Sequence, residues 1–180
     1  DTMLRTLIVS TSFAIMALSA QASPEAEALI AGTASQISTT QTGVSPLTEA
    51  IDVQAIARFT LGKHSRRLSE DEQVRFTTAF EKFLIGTFED QKNRMKNATV
   101  EVIGSVDRSD RDSVVETRVT QKGEDPMTVR WRVIERNGAW RVVDVEVLGL
   151  WLAIEQRAQI AAILDKPRAT IDDAIAALDS

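Results

Sequence analysis

The sequence predicts an α+β fold in which N- and C-terminal helices pack on one curved, four-stranded antiparallel sheet. Three observations predict it. Ser69-Glu70-Asp71-Glu72 is an S-x-x-E capping box, and it opens a helix on which Phe76, Phe80, Phe83, Leu84, Thr87 and Phe88 recur at three- and four-residue spacing. Between Thr99 and Val147 that period gives way to four runs rich in Val, Ile, Thr and Trp, the last two joined by Asn137-Gly138. After Leu150 helical spacing returns and continues, across a break at Pro167, to Leu178.

Taken in order, Ser23 to Ile37 is small and helix-prone, with Ala28, Leu29, Ala31 and Ile37 loosely on one face. Thr39 to Thr48 is rich in Thr, Ser, Gly and Pro, which favours a loop. Asp52 can cap a short helix to Leu61, with Val53, Ile56, Ala57 and Phe59 as its apolar side and Gly62 as its stop. The long helix from Ser69 sets its aromatic stripe against Glu72, Arg75, Glu81, Lys82, Glu89 and Asp90. Such a stripe fits plain core packing or the wall of a cavity, and spacing does not choose between them. The strands are expected at Thr99 to Ile103, Ser113 to Thr120, Thr128 to Glu135 and Ala139 to Val147, with a looser turn from Lys122 to Pro126. If Asn137 and Gly138 alone make the last turn, Val133 faces Val142 and Trp131 faces Asp144, while Arg130 and Arg132 meet Val145 and Val143 on the other side. Neither face is then cleanly polar. Such a sheet is usually covered by helices on one side and by further structure or a cavity on the other. Leu150 to Leu164 reads as a helix through Leu152, Ile160 and Ile163, and Thr170 can cap a last one to Leu178.

With 180 residues, the chain has room for one domain and a short leader. The net charge of -5 and pI near 5.0 argue against binding to a nucleic-acid backbone, which needs clustered Lys and Arg. With no Cys there is no disulfide, thiolate metal site or lipid-modified cysteine. Met3-Leu4-Arg5, the apolar run Thr6 to Leu18 and Ala20-Gln21-Ala22 form the three parts of a cleavable signal peptide. A spanning helix needs about 20 apolar residues, more than this run supplies, so an uncleaved anchor is the weaker alternative. Asp1-Thr2 precede the presumed initiator Met3 and are read as a remnant, which makes residues 1–22 leader and 23–180 the domain.

Reactive chemistry is thin. The chain has one His, no Cys and no Tyr. His64 has no partner at metal-ligand spacing and is expected to be a surface or cap histidine, so no metal is expected. Asp144, on a mostly apolar strand, could be buried with a raised pKa and serve as a base, or it could pair with Arg132 or Arg141. Asp172 and Asp173 suit the dipole of a helix first turn. No phosphate loop, H-E-x-x-H or G-x-S-x-G motif occurs. What the chain has in surplus is large apolar side chains, six Phe and three Trp, several where a helix would face the sheet. Binding something apolar fits that surplus, because an acyl chain gains about 0.8 kcal/mol per buried CH₂.

Two stretches carry a family resemblance. Phe59-Thr60-Leu61-Gly62-Lys63-His64, followed by Leu68-Ser69-Glu70-Asp71-Glu72-Gln73 and Phe76-Thr77-Thr78-Ala79-Phe80-Glu81-Lys82-Phe83-Leu84, resembles the leucine-glycine turn and aromatic helix of the MlaC family. These are periplasmic phospholipid-binding proteins, also called toluene-tolerance auxiliary proteins. Gly138-Ala139-Trp140-Arg141-Val142-Val143-Asp144-Val145-Glu146-Val147-Leu148-Gly149-Leu150 is similar to that family's G-x-W-K-V-x-D-V-x-V-E-G-V segment, and Arg157 falls where its next helix has an Arg. The resemblance covers roughly Ala50 to Leu178. His64 and Ser65 stand where aromatic residues are usual, Leu148 replaces a Glu, Trp151 a small Ser, and Pro167 with its neighbours a Gly pair. Trp151 at a cavity mouth would narrow it, or it would cap the core.

The resemblance implies a nuclear-transport-factor-like sheet enclosing an apolar cavity, acyl chains between sheet and helices, and no cofactor. It implies a non-enzymatic periplasmic carrier that shuttles phospholipid between an inner-membrane ABC transporter, with its substrate-binding ring protein, and an outer-membrane lipoprotein complex, maintaining outer-membrane lipid asymmetry. The residues expected to line or border the cavity are Phe80, Leu84, Phe88, Val102, Val119, Val129, Trp131, Val133, Val145, Val147 and Leu150. Three rival readings differ in cargo or class: a hopanoid-related carrier, a small cavity isomerase using Asp144 as base, and an adaptor with a dry, filled core that only bridges complexes.

Overall fold

A computed structural model describes residues 23–39, 45–94 and 97–179, so the expected leader lies outside the described residues. Helices α1 (Pro24–Thr39), α2 (Ser45–Ala50) and α3 (Val53–Leu61) lead through a 3-10 turn, Gly62–Arg67, into the long α4 (Glu70–Arg94). Strands β1 (Thr99–Ser109), β2 (Asp112–Thr120), β3 (Met127–Arg136), β4 (Ala139–Val147) and β5 (Leu150–Trp151) follow, then α5 (Leu152–Leu164) and α6 (Ile171–Leu178). The strands form one antiparallel meander in sequence order.

The local start signals act as expected. Asp52 Oδ1 accepts the Ala55 N–H at 3.0 Å, and the Gly62 N–H, in a backbone with φ +54, closes α3 onto the Arg58 and Phe59 carbonyls. The Ser69 N–H donates to Glu72 Oε2 at 2.8 Å while the Glu72 N–H donates to Ser69 Oγ at 3.2 Å, the reciprocal pair of a capping box. Thr170 and Asp173 make a second such box at the head of α6. Asn137 and Gly138 both have positive φ, as a two-residue hairpin matched to strand twist requires.

Four expectations are corrected. The tail of the expected loop is helical from Ser45, because Pro46 suits a first helical turn and Leu47 is buried. Strand β1 runs to Ser109 rather than Ile103, because a bulge between Val102 and Gly104 lets a polar stretch continue its pairing with β2. On α3, Thr60 and Leu61 are buried with Ile56 and Ala57, while Phe59 faces out. A fifth, two-residue strand occupies what reads as the start of the last long helix. Leu148 (φ +53) and Gly149 (φ +82) turn the chain back on β4, pairing Val147 with Leu150 and Glu146 with Trp151. Leu152 and Ile154 are consequently about half exposed, and α5 buries Ala153, Ile160 and Leu164 instead.

The continuous core joins Phe76 and Phe80 of α4, Val115, Val133 and Val142 of the sheet, and Ile56, Leu61, Ile160, Ile171 and Leu178 of the surrounding helices. The β4 edge is closed at Val142, where Ile51 makes an isolated parallel bridge and the Asp52 N–H donates to the Val142 carbonyl at 2.9 Å. Among the described residues no helix is long and apolar enough to cross a membrane.

Candidate functional site

One irregularity decides what the sheet can do. Val133 pairs with Val142 as expected, but Arg132 pairs with Asp144, which leaves Val143 as an extra residue bulged out of β4. Beyond the bulge the register is one residue further along than uninterrupted pairing would give. Trp131 therefore meets Val145 rather than Asp144, Arg130 meets Glu146 rather than Val145, and Val129 meets Val147. Since side chains alternate, a one-residue change moves all of them to the other face.

The two faces are thereby separated. One carries the rows Asp107–Ser113–Val133–Val142, Ser105–Val115–Trp131–Val145, Val102–Thr117–Val129–Val147 and Val100–Val119–Met127, uncharged except for Asp107 at the β1 end. The other carries a charge ladder: Arg130 bridges Glu116 at 3.1 Å and Glu146 at 3.2 Å, and Arg132 binds Asp112 at 2.8 Å. The Glu116 carboxylate, helped by Glu146, holds the Arg130 guanidinium above its ordinary pKa, and Asp112 does the same for Arg132. The expectation of two mixed faces is corrected by this bulge.

Phe76 and Phe80 of the aromatic helix share one core with Val115, Val133 and Val142 of this largely uncharged face. Its polar atoms are only partly satisfied: Ser113 Oγ and Asp107 Oδ1 are buried without a hydrogen-bond partner among the described residues. Thr117 Oγ1 donates to the Val129 carbonyl at 3.0 Å and accepts from Trp131 Nε1 at 2.9 Å, so the indole presents its hydrocarbon edge. Phe76, Phe80 and Phe83 form a continuous run, with ring centroids 6.0 and 5.9 Å apart. Burial then falls along α4, while on the sheet it varies between neighbouring positions. Phe76, Phe80, Val115 and Val133 are sealed, whereas Phe83, Leu84, Phe88, Val102, Trp131 and Val145 are half-buried against the edge of the core. Val119 and Val129 are buried beyond the continuous core, Val147 is half-buried, and Leu150 is more than half exposed past the Leu148-Gly149 turn. Of the residues expected at a cavity, Phe80 and Val133 thus belong to the sealed part. Leu84, Phe88, Val102, Trp131 and Val145 make a half-buried apolar band around that core, with Val147 in the next row of the sheet.

The titratable candidates have structural partners. His64 is buried, not at the surface; its Nε2 lies 2.9 Å from Asp165 Oδ1 and its Nδ1 contacts Arg67, which ties the 3-10 turn to the end of α5. Its acidic partner is 101 positions away, beyond any spacing rule. Lys63, 2.8 Å from Asp165, is the main reason that carboxyl lies below its ordinary pKa. Asp144 is buried and pairs with neither Arg132 nor Arg141. Its Oδ1 accepts the Val145 and Ala153 N–H groups, both at 2.8 Å, and so caps the first turn of α5. Desolvation raises its pKa, and the two N–H bonds and Arg132 oppose that rise. It sits opposite Arg132, one residue out of step with Trp131 and Val145, and a base for chemistry among the apolar rows would have to face the other way. Asp173 holds its capping box, and Asp172 pairs with Arg75 of α4. Among the described residues no group of three metal-ligating side chains occurs.

The fold is α+β, helices packed against an open five-stranded antiparallel sheet with one largely uncharged face. The family model of the MlaC protein matches residues 33–180, and the chain belongs to the MlaC family. Among solved structures it is similar to the phospholipid-binding protein from Ralstonia solanacearum, whose structure was determined in complex with a phospholipid. The two share 22% identity with a TM-score of 0.73, over 86% of this chain and 95% of that one. Among curated proteins none matches.

Proposed function

We propose that this protein is a non-enzymatic lipid carrier that holds phospholipid acyl chains against the band formed by Leu84, Phe88, Val102, Trp131, Val145 and Val147. The observation that carries the reading is the bulge at Val143, which removes Asp144 and Glu146 from the face opposite the aromatic helix. An acyl chain laid along the β2–β4 part of these rows meets no charged side chain and a satisfied Thr117–Trp131 pair, so it gains burial energy without stranding a charge there. Membership of the MlaC family and the phospholipid held by the Ralstonia protein of like fold support the same reading. On it, residues 1–22 export the chain to the periplasm. There it shuttles lipid between an inner-membrane ABC transporter with its ring protein and an outer-membrane lipoprotein complex, preserving outer-membrane lipid asymmetry.

The test is native mass spectrometry with organic extraction of the mature protein, purified from the periplasm without detergent. Phospholipid at about one molecule per chain is expected. Hopanoid in its place would keep the carrier and change the pathway. A mass that stays free of ligand after incubation with liposomes would overturn the proposal in favour of an adaptor.

A further inference from the structure

A second concave surface lies on the helical side of the molecule and has the opposite character. Arg58 and Phe59 of α3, Gly62, Lys63 and Arg66 of the 3-10 turn, Arg136 of the β3–β4 hairpin and Arg157 of α5 line a groove of about 640 Å³. Five cationic side chains from four segments converge there on a chain whose net charge is -5. Two are neutralised: Lys63 binds Asp165 at 2.8 Å and Arg136 binds Asp52 at 3.1 Å. Arg58, Arg66 and Arg157 have no carboxylate partner among the described residues.

Arg157 is held in place without one. Its guanidinium lies 4.9 Å from the centroid of the Phe59 ring, which explains why that phenylalanine faces out of α3. It also rests on Gly62, where a Cβ would approach Arg157 Nε to 3.0 Å and Cζ to 3.2 Å. Residue 62 is thus a glycine for two reasons, the positive φ that ends α3 and the close approach of this side chain. A guanidinium stacked by its face keeps its N–H donors free in the plane. Collecting three unpaired cations in one groove is electrostatically unfavourable until an anion enters.

We propose that this groove is a binding site for a phosphate ester. One carboxylate, planar with two oxygens, is satisfied by a single arginine fork, whereas a phosphate offers acceptors in three directions and suits guanidinium groups arriving from α3, the 3-10 turn and α5. The remaining volume and the exposed edge of Phe59 leave room for the ester's organic part. The source of the phosphate is either a lipid head group or a free phosphoester. The site is separate from the apolar band: Arg136 and Trp131, the band's residue on β3, are five residues apart, about 17 Å of extended strand. It stands whether or not the band holds lipid.

The test is isothermal titration of the mature protein with sn-glycerol 3-phosphate and with inorganic phosphate, at low salt and again in 0.5 M NaCl. Saturable binding that weakens with salt is expected. Arg157→Gln should weaken it by about tenfold or more, as loss of a charge-assisted hydrogen bond does, and Arg58→Gln with Arg66→Gln should weaken it further. Arg118→Gln removes one positive charge from the distant strand β2 and should leave binding unchanged. Tighter binding of the glycerol ester than of phosphate identifies a head-group-like ligand, and equal binding a free phosphate. Absence of saturable binding, equal affinity in wild type and Arg157→Gln, or preference for hexaglutamate over both phosphates would overturn the proposal. Lipid content of Arg157→Gln, measured by native mass, should equal that of wild type, which separates failure of this site from failure of the carrier reading.

Discussion

The two ends of the aromatic helix carry the same apolar stripe and meet different fates. Phe76 and Phe80, at 0% and 1% exposure, belong to a solid core with Val115, Val133 and Val142, while Leu84 and Phe88, about two turns further on, are only half-buried at its edge. The apolar pattern along α4 does not change between them. What differs is the surrounding layer: α3 and α6 pack on α4, with Asp172 at the head of α6 paired to Arg75 beside Phe76, and α5 brings Ile160 and Leu164 into the same cluster. The same apolar stripe is therefore sealed core at one end and half-exposed apolar surface at the other.

The largest effect that tests this contrast comes from putting a charge at each end. Val133→Arg buries an arginine in the sealed core and should cost more than about 4 kcal/mol, read as loss of the cooperative urea transition. Val147→Arg, half-buried, should leave the unfolding midpoint nearly unchanged and empty the protein of lipid. Equal destabilisation by both would erase the distinction. Truncation of the stripe gives a graded version. Phe80→Ala should cost about 3–5 kcal/mol and Phe88→Ala about 1 kcal/mol in denaturant unfolding of lipid-free protein.

Asp144 sharpens the contrast from the other face of β4. Removing the α5 cap in Asp144→Ala should cost about 1–2 kcal/mol in the same measurement. Asp144→Asn keeps an acceptor for the two N–H groups without the buried charge. Because the native pKa is raised, the folded protein binds this proton more readily than the unfolded chain. The group's contribution is then most favourable in acid and is lost as pH rises through the native pKa. Wild type should accordingly lose stability relative to Asp144→Asn across the upper carboxylate range, and a pH-independent difference would contradict the desolvated placement. The smallest effect concerns the Leu148-Gly149 turn, where a leucine with φ +53 and 81% exposure holds a strained conformation for no buried contact. Leu148→Asn should raise stability by about 0.5–1 kcal/mol in thermal unfolding.

Much of the architecture was legible in the chain. The two capping boxes, the Asp52 cap, the Gly62 stop and the Asn137-Gly138 turn each involve residues at most four apart, and the structure uses all of them. The candidate site was legible only in part. Phe80 lies in the core and Leu84, Phe88, Val102, Trp131 and Val145 pack against it, and periodicity could not tell the sealed residue from the half-covered ones. The Leu148-Gly149 turn was missed because leucine is a poor residue for positive φ; the only signal was the glycine beside it.

The sequence by itself determined the order of helices and strands, the positions of the caps and turns, and the family, because those features are written within a few residues of one another. The tertiary structure alone decided the Val143 bulge, the burial of His64 against Asp165, the capping of α5 by Asp144, and the meeting of Arg58, Arg66 and Arg157 in one groove. Most of these join positions from nine to about a hundred residues apart. The bulge depends on how β4 settles against a partner strand and a covering helix at once, and no local pattern carries that information.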